Sequence, residues 1–199
     1  SQVEAPVAQP EQTATTPTQP AAVRPKIAII VDDGGYGGEV GDAVLALDPA
    51  LTLSILPNTP RGAELAQQAE ARGFEAMLHM PMEAEEGDEK SLSPLGVAMT
   101  PEEIRTLTEK AIAQVPGAVG VNNHEGSKFT GDAKAMTAFL DTVKTHSLYF
   151  IDSRTSPLTL VATTAQSMGI RTASRDVFLD NEPAEANIRT RFAELLALA

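Results

Sequence analysis

Two adjacent carboxylates at the end of an apolar run are the residues of this chain best suited to chemistry. Asp32 and Asp33 follow the run at 26–31 and are followed at once by Gly34 and Gly35. In α/β folds, ligands collect at the carboxyl ends of parallel strands, so this pair is expected to lie at a site. Because successive side chains of a strand point in different directions, one carboxylate could hold a cation while the other handles a proton. The alternative is a turn or a helix cap, since Asp and Gly are ordinary turn residues.

Two of the three histidines are placed like the aspartates. His79 comes after the run 74–78, and His124 follows a later strand candidate. If the strands share one sheet or barrel, these side chains converge at one edge. A carboxylate and two neutral imidazoles suit Zn²⁺ or a related divalent ion, with water completing the coordination sphere. Asp33, His79 and His124 are therefore the predicted metal ligands, whereas His146 is predicted to be a surface residue at a helix end.

Other polar residues cluster near the same strand ends. The candidates for substrate binding are Asn122, Asn123, Ser127 and Asp180, and those for catalysis, besides Asp32, are Asp152 and Arg154. Asn and Ser side chains could orient a ligand or bind substrate hydroxyls, but they are also common in loops. An Arg near an Asp either keeps a catalytic carboxylate charged or forms a structural ion pair. Both interpretations stay open at this point.

Composition narrows the chemistry and the partners. The 199 residues include no cysteine, which excludes disulfides and thiolate metal sites. The formal net charge of -12 argues against a nucleic-acid groove and against direct binding to an anionic membrane, because both need clustered Lys and Arg. His and carboxylate side chains are thus the strong ligands available to a transition metal.

Short apolar runs alternate with helical patterns along most of the chain. The strand candidates are 26–31, 51–56, 74–79, 118–122, 148–152 and 170–173. This alternation is typical of βα units around a mostly parallel sheet or barrel, so the fold class predicted is α/β. The segment Thr100-Pro101-Glu102-Glu103 has the residues of a capping box and predicts a helix start. Thr59 and Ser156, each followed by Pro, predict two more, and 132–145 is amphipathic at helical spacing.

The domain organisation predicted is one folded domain preceded by a linker. Residues 1–25 hold five of the 14 prolines, many Ala, Gln and Thr, and no aromatic residue. Such a stretch cannot bury enough apolar surface to order itself, so we expect a disordered, semi-extended linker. Residues 26–199 have the length of one domain. The apolar helical pattern at 191–199 has no closing glycine, which leaves open that this domain continues further.

Four stretches are similar to the motifs of a known family. They are Ile29-Ile30-Val31-Asp32-Asp33-Gly34-Gly35, Leu78-His79-Met80-Pro81-Met82-Glu83, Gly120-Val121-Asn122-Asn123-His124-Glu125-Gly126-Ser127 and Phe150-Ile151-Asp152-Ser153-Arg154. Together they resemble the divergent polysaccharide deacetylase family, relatives of the NodB-type carbohydrate esterases, over nearly all of residues 26–199. The resemblance implies a NodB-like, distorted (β/α) barrel with a mostly parallel sheet and a bound divalent metal, most often zinc. It also implies a bacterial envelope protein that is periplasmic or otherwise extracytoplasmic, consistent with an anchor upstream of the folded domain.

The resemblance also implies roles for individual residues. Asp32 resembles the family's catalytic base and Asp33 its metal-binding acid, with His79 and His124 completing the metal triad. The implied hydrolase removes acetyl groups from an N- or O-acetylated envelope polysaccharide or oligosaccharide, cleaving non-peptide carbon–nitrogen bonds or ester bonds. A metal-bound water would be the nucleophile and Asp32 the general base.

Two other functions fit parts of the sequence. Mainstream deacetylases place two metal histidines four residues apart, whereas Lys128 is four residues after His124. This departure favours a non-catalytic envelope domain of deacetylase fold that binds metal or glycan. A Mg²⁺ phosphohydrolase using both aspartates would need phosphate contacts, for which only Arg154 and Arg175 are plausible donors, so it ranks last.

Overall fold

The computed structural model describes residues 26–85 and 95–199, so the linker predicted over 1–25 lies outside the described residues. Strands and helices alternate along these two ranges. The strands are β1 Ile30–Gly34, β2 Thr52–Ile55, β3 Glu75–Met82, β4 Gly120–Glu125, β5 Tyr149–Asp152 and β6 Thr172–Ser174. The helices are α1 Gly38–Val44, α2 Gly62–Ala71, α3 Pro101–Gln114, α4 Ala133–Thr145, α5 Val161–Met168 and α6 Glu185–Leu198, with a 3-10 turn at Phe129–Gly131.

The strands form one parallel sheet in the order β1-β2-β3-β4-β5-β6. Each strand therefore pairs with the next one along the chain, and right-handed crossovers place the intervening helices on the same face. This is the strand order of the wall of a (β/α) barrel, with β1 and β6 as the edge strands of the described part. The prediction of an α/β fold with a mostly parallel sheet is confirmed.

The hydrophobic core lies between the helices and one face of this sheet. Leu53 of β2, Leu78 of β3 and Phe150 of β5 belong to one buried cluster with helix residues such as Ile104 and Phe139. The Phe139 and Phe150 rings meet edge to face, with their centroids 5.4 Å apart. Burial of each such side chain contributes roughly 1.5–3 kcal/mol relative to exposure. The helices thus cover one face of the sheet, and His79, Asn122 and His124 lie on the other.

A side-chain bridge crosses that other face near the amino ends of the strands. The Tyr149 ring lies over Gly120, and the Tyr149 hydroxyl donates to the Glu75 carboxylate. The bridge links β5 to β3 across β4. A Cβ atom on residue 120 would overlap the ring, so this crossing requires glycine.

The first strand differs from its prediction. The expected run at 26–31 ended before the aspartates, whereas β1 begins at Ile30 and contains both of them. Pairing with β2 continues to Gly34, which is possible because residue 34 has no side chain: a Cβ there would lie 3.0 Å from Leu65 and 3.1 Å from the Ser54 carbonyl. The register shifts between Val31 and Gly34, which displaces the aspartates from regular alternation.

One of the three predicted helix starts is correct. Thr100 caps α3 in a complete capping box with Glu103. The starts predicted at Thr59 and Ser156 are wrong, because α2 begins at Gly62 and α5 at Val161. The Thr59 hydroxyl instead donates to the Leu56 carbonyl, and Ser156 accepts from the Leu158 amide, so both close turns. The amphipathic segment 132–145 is confirmed as α4, which has Asp132 as its N-cap and ends at the exposed His146.

The last helix, α6, contacts the core least. It has no buried residue, and the exposed fraction of Leu196 is 54% and that of Leu198 is 69%. The helical pattern predicted at 191–199 falls within it, up to Leu198. Over the two described ranges, no helix has both the length and the hydrophobicity needed to cross a bilayer.

Candidate metal centre

Three strands bring the predicted metal ligands together near their carboxyl ends, although β3 continues past His79 to Met82 and so beyond the predicted strand 74–79. Asp33 is on β1, His79 on β3 and His124 on β4. In the register of β3 and β4, His79 pairs with Asn122 and Pro81 with His124, which places both histidines on the same face. Asp33 reaches them from β1 with a backbone φ of 58°, outside the range of regular strands. The predicted convergence of the three side chains is therefore present in the structure.

The three ligand atoms form a nearly equilateral triangle. Asp33 Oδ1 is 3.1 Å from His124 Nδ1 and 3.3 Å from His79 Nε2, and the two nitrogens are 3.1 Å apart. Tetrahedral zinc with bonds of about 2.0–2.1 Å separates its ligand atoms by about 3.3–3.4 Å. The imidazole planes are 80° apart, so the two nitrogens approach the shared space from different directions. The donor types and spacings thus fit a divalent ion of zinc size.

The triangle is buried on one side and open on the other. The exposed fraction is 4% for the His79 side chain, 22% for that of His124 and 62% for that of Asp33. The hydrogen bond from His124 is the main cause that holds the pKa of Asp33 far below its ordinary value. Reciprocally, the Asp33 carboxylate raises the pKa of His124 against the opposing effect of burial. The cluster is reachable from solvent, and a cation binding there would compete with a proton on His124.

Asp32 lies beside the triangle but outside it. Its Oδ1 accepts a hydrogen bond of 2.9 Å from Asn122 Nδ2 and lies 3.9 Å from His79 Nδ1. Asn122 is 2% exposed, and its Oδ1 also contacts the Ser54 hydroxyl and, at 2.8 Å, His79 Nδ1. The structure thus places Asn122 beneath the predicted ligands, and contact of this side chain with substrate stays a prediction.

The predicted residues Asn123, Asp152 and Arg154 organise the loop after β5. Asn123 Oδ1 accepts from the Ser153 amide at 2.8 Å. The Asp152 side chain accepts from the Arg154 amide at 2.8 Å and from the Thr159 hydroxyl at 2.9 Å, and the residue is 1% exposed. These contacts make Asp152 and Asn123 parts of the scaffold of this loop. The catalytic and substrate roles expected from the sequence stay predictions.

Two other predicted residues lie in loops. Ser127 follows β4, and its hydroxyl accepts from the Glu85 amide at 3.0 Å, which ties this loop to the one after β3. Lys128 forms an ion pair with Glu83 of that same loop. Asp180 is exposed between β6 and α6. Substrate contact by Ser127 and Asp180 likewise stays a prediction.

Ser54 and Arg175 lie near the candidate site but are not among its predicted residues. Ser54 is a fully buried hydroxyl inside the apolar run 51–56, and a buried polar group needs a partner, so it carried a usable signal. Arg175 donates to the Ser153 carbonyl at 2.7 Å and stacks on Phe178, 4.6 Å from the ring centroid. Burial lowers the pKa of Arg175, while the charge of Asp32 opposes that shift. Arg175 therefore places positive charge near Asp32.

Unusual backbone conformations concentrate at this edge of the sheet. Five non-glycine residues of the described ranges have positive φ, and three of them lie in or shortly after strands of the site. These are Asp33 at 58°, Glu125 at 53° and Arg154 at 49°. Such conformations cost about 1–3 kcal/mol each and cluster at functional sites in proteins.

The fold and the site define an α/β domain with a candidate Asp-His-His metal centre at the carboxyl edge of a parallel sheet. The chain belongs to the divergent polysaccharide deacetylase family, whose model matches residues 29–199. The family resemblance inferred from the motifs is therefore confirmed.

Relatives and a solved structure agree with this assignment. The chain is 36% identical over 174 residues to the uncharacterised protein YibQ of Escherichia coli (strain K12), a match that covers 87% of this chain and 54% of YibQ. It is 29% identical over 167 residues to an uncharacterised protein of Haemophilus influenzae, covering 84% of this chain and 60% of that protein. The chain thus spans little more than half the length of these relatives. The crystal structure of the uncharacterised protein ATU2773 from Agrobacterium tumefaciens C58 has the same fold, with a TM-score of 0.81 and 22% identity over 86% of this chain and 71% of that one.

Proposed function

We propose that this domain is a divalent-metal-dependent deacetylase that acts on N- or O-acetylated carbohydrate of the bacterial envelope. Asp33, His79 and His124 hold the cation, which we assign as zinc because one carboxylate and two imidazoles match its preferred ligands. The observation that carries the proposal is the triangle of ligand atoms with edges of 3.1–3.3 Å beside a second, solvent-accessible carboxylate. Membership of the divergent polysaccharide deacetylase family supports a carbohydrate substrate.

Asp32 is suited to accept the proton that is lost during attack on the acetyl group. When bound, a divalent cation would polarise the acetyl carbonyl and lower the pKa of a water molecule. The Asp32 side chain is 39% exposed, so substrate and water can reach it. Asn122 engages its Oδ1, while no described residue forms a hydrogen bond with its Oδ2. The hydrogen bond from Asn122 to Oδ1 fixes the orientation of the carboxylate, and Oδ2 is therefore available to accept a proton.

The rival function is a metal- or glycan-binding domain without turnover. It is favoured by one observation: the position four residues after His124 is occupied by Lys128, which is paired with Glu83 in a loop contact. A mainstream deacetylase would have its second histidine there. Here the second imidazole comes from β3 instead, so the rival differs from the enzyme in turnover and not in metal binding.

The discriminating experiment combines metal analysis with turnover. Purified protein is loaded with zinc, and acetate release is measured from chitotetraose and from O-acetylated oligosaccharide. Asp32→Asn is expected to retain near-stoichiometric zinc but to lose at least about a hundredfold in acetate release, since general base catalysis contributes about 10²–10⁴-fold.

The matched control is Asp141→Asn, a change of the same kind on the exposed surface of α4. It should keep both zinc and turnover. If Asp32→Asn releases acetate as fast as the wild type, Asp32 is not the base. Zinc binding and glycan binding without acetate release from any acetylated sugar would support the rival.

The envelope location belongs to the same proposal and rests on the family resemblance. Fractionation of cells that express the full-length protein tests it. Recovery in the periplasmic or envelope fraction would support the proposal, and recovery with cytoplasmic markers would contradict it.

A further inference from the structure

Asn122 is the centre of a buried hydrogen-bond network under the candidate metal centre. Its amide group contacts three side chains from three other strands: Asp32 of β1, Ser54 of β2 and His79 of β3. Both Asn122 and Ser54 are buried, with exposed fractions of 2% and 0%. A side chain in this position does not face the solvent from which substrate arrives. Its contacts instead lead to the candidate base and to one predicted ligand.

The contacts determine which way the Asn122 amide is turned. An ionised carboxylate only accepts hydrogen bonds, so the atom that faces Asp32 must be the Nδ2 donor. The Oδ1 atom is then the one that faces His79 and Ser54, and a carbonyl oxygen only accepts. The Ser54 hydroxyl fills one lone pair of Oδ1 and His79 Nδ1 the other. His79 must therefore carry its proton on Nδ1.

This tautomer has a direct consequence at the other nitrogen of the ring. With the proton on Nδ1, the lone pair of a neutral imidazole is on Nε2. His79 Nε2 is the atom that lies 3.3 Å from Asp33 Oδ1 and 3.1 Å from His124 Nδ1. The lone pair thus points into the triangle, where it can accept from His124 Nδ1–H in the metal-free protein and where a cation would be bound.

We propose that Asn122, held by Ser54, is a positioning residue that locks His79 in the Nδ1–H tautomer and couples Asp32 to the metal ligands. It acts through His79 and Asp32 and not by touching substrate. The role in metal binding rests on the proposed function, whereas the tautomer itself does not. Partners of this kind typically change metal affinity by 10–100-fold when they are removed.

The coupling follows from the shared amide. A rotation of the Asn122 side chain would present Nδ2 to His79, which would require the imidazole to accept at Nδ1 and to carry its proton on Nε2. The same rotation would place Oδ1 against the Asp32 carboxylate, where two acceptors repel each other. Asp32 therefore helps to select the His79 tautomer through Asn122, and the two predicted functional groups are not independent.

The test reads the tautomer directly in metal-free protein. Imidazole nitrogen NMR of histidine-labelled protein, assigned with His79→Ala, distinguishes protonation on Nδ1 from protonation on Nε2 at a pH where the ring is neutral. The wild type is expected to show Nδ1–H at His79. Asn122→Leu should lose this preference and bind zinc about 10–100-fold more weakly. Asn181→Leu, the same change at an exposed asparagine outside the network, should keep the His79 tautomer and the wild-type zinc affinity.

The outcomes separate this inference from the proposed function. An Nε2–H tautomer in the wild type, or equal zinc affinity in the wild type and Asn122→Leu, would overturn it. If the wild type binds no zinc but shows Nδ1–H, the proposed function fails and the positioning of His79 stands. Should Asn122→Leu fail to fold, Ser54→Ala replaces it. This variant is expected to show a weaker Nδ1–H preference, because the Asn122 amide is then oriented by Asp32 without the hydrogen bond from Ser54.

Discussion

Asp33 and His124 are linked electrostatically before any cation arrives, because each shifts the pKa of the other toward the charged form. A protonated imidazole cannot bind a metal, so zinc must displace the proton that Asp33 stabilises on His124. Below the raised pKa of His124, the apparent zinc affinity should fall about tenfold per pH unit, and above it the dependence should level off. Competition titrations with a chromophoric chelator from about pH 5 to pH 8 measure this slope.

His146→Ala is the control for that titration, because this histidine is exposed at the end of α4 and lies outside the cluster. Its zinc affinity and slope should match those of the wild type. An affinity that does not change over the acid half of the range would contradict the predicted proton competition.

For individual residues, the sequence predicts which side chains belong to the site better than it predicts their hydrogen-bond partners. The motifs predicted Asp33, His79 and His124 because each ends or follows an apolar run, and parallel strands bring such ends together. The place of Asn122 could not be predicted, because it depends on the register that pairs His79 with Asn122 on the neighbouring strand. A shift of one residue would have turned this amide to the opposite face.

At the level of the strands, the Tyr149 ring that lies over Gly120 leads to a prediction about stability. Gly120→Ala should lower the free energy of unfolding by about 1–3 kcal/mol, since the added methyl group overlaps the ring. Urea denaturation measures the loss. Gly41→Ala, in α1 with open space around its Cβ position, should be neutral or slightly stabilising.

The double variant Gly120→Ala/Tyr149→Ala shows whether the overlap is the cause. If the ring is responsible, Gly120→Ala should cost less in a Tyr149→Ala background than in the wild type. An equal cost in both backgrounds would mean that the backbone of β4 at Gly120, and not the Tyr149 ring, resists the substitution.

The helix starts show what a local pattern can and cannot predict. Thr100 is followed three residues later by Glu103, and the two side chains satisfy each other's backbone amides. Thr59 and Ser156 also precede proline, but Gly62 and Thr159 stand three residues later and cannot complete a capping box. The proline alone was therefore an insufficient signal, and the two hydroxyls form turns instead.

For the whole molecule, a bound cation would join three strands that are otherwise connected through the sheet. Because the ligand set is assembled only in the folded state, zinc should stabilise the domain by about 2.7 kcal/mol at a hundred times its Kd. For a domain of this size that raises Tm by roughly 5–11 °C. Thermal unfolding with zinc and with chelator measures the difference.

His79→Ala should abolish most of this shift, and His146→Ala should preserve it. The same Tm in zinc and in chelator for the wild type, measured well above the zinc concentration that saturates the triad, would contradict the metal centre.

The sequential strand order also determines when the ligands of the site become available during synthesis. The ribosome delivers the chain amino end first, and each strand of this sheet pairs with the strand made just before it. Asp33, His79 and His124 lie on β1, β3 and β4, so the complete ligand set has emerged once β4 has been made. The segments that carry Asp152 and Arg175 come later and support a cluster whose ligands are already present. All three ligands have therefore left the ribosome, or an export channel, before β5 and β6 emerge to complete the sheet.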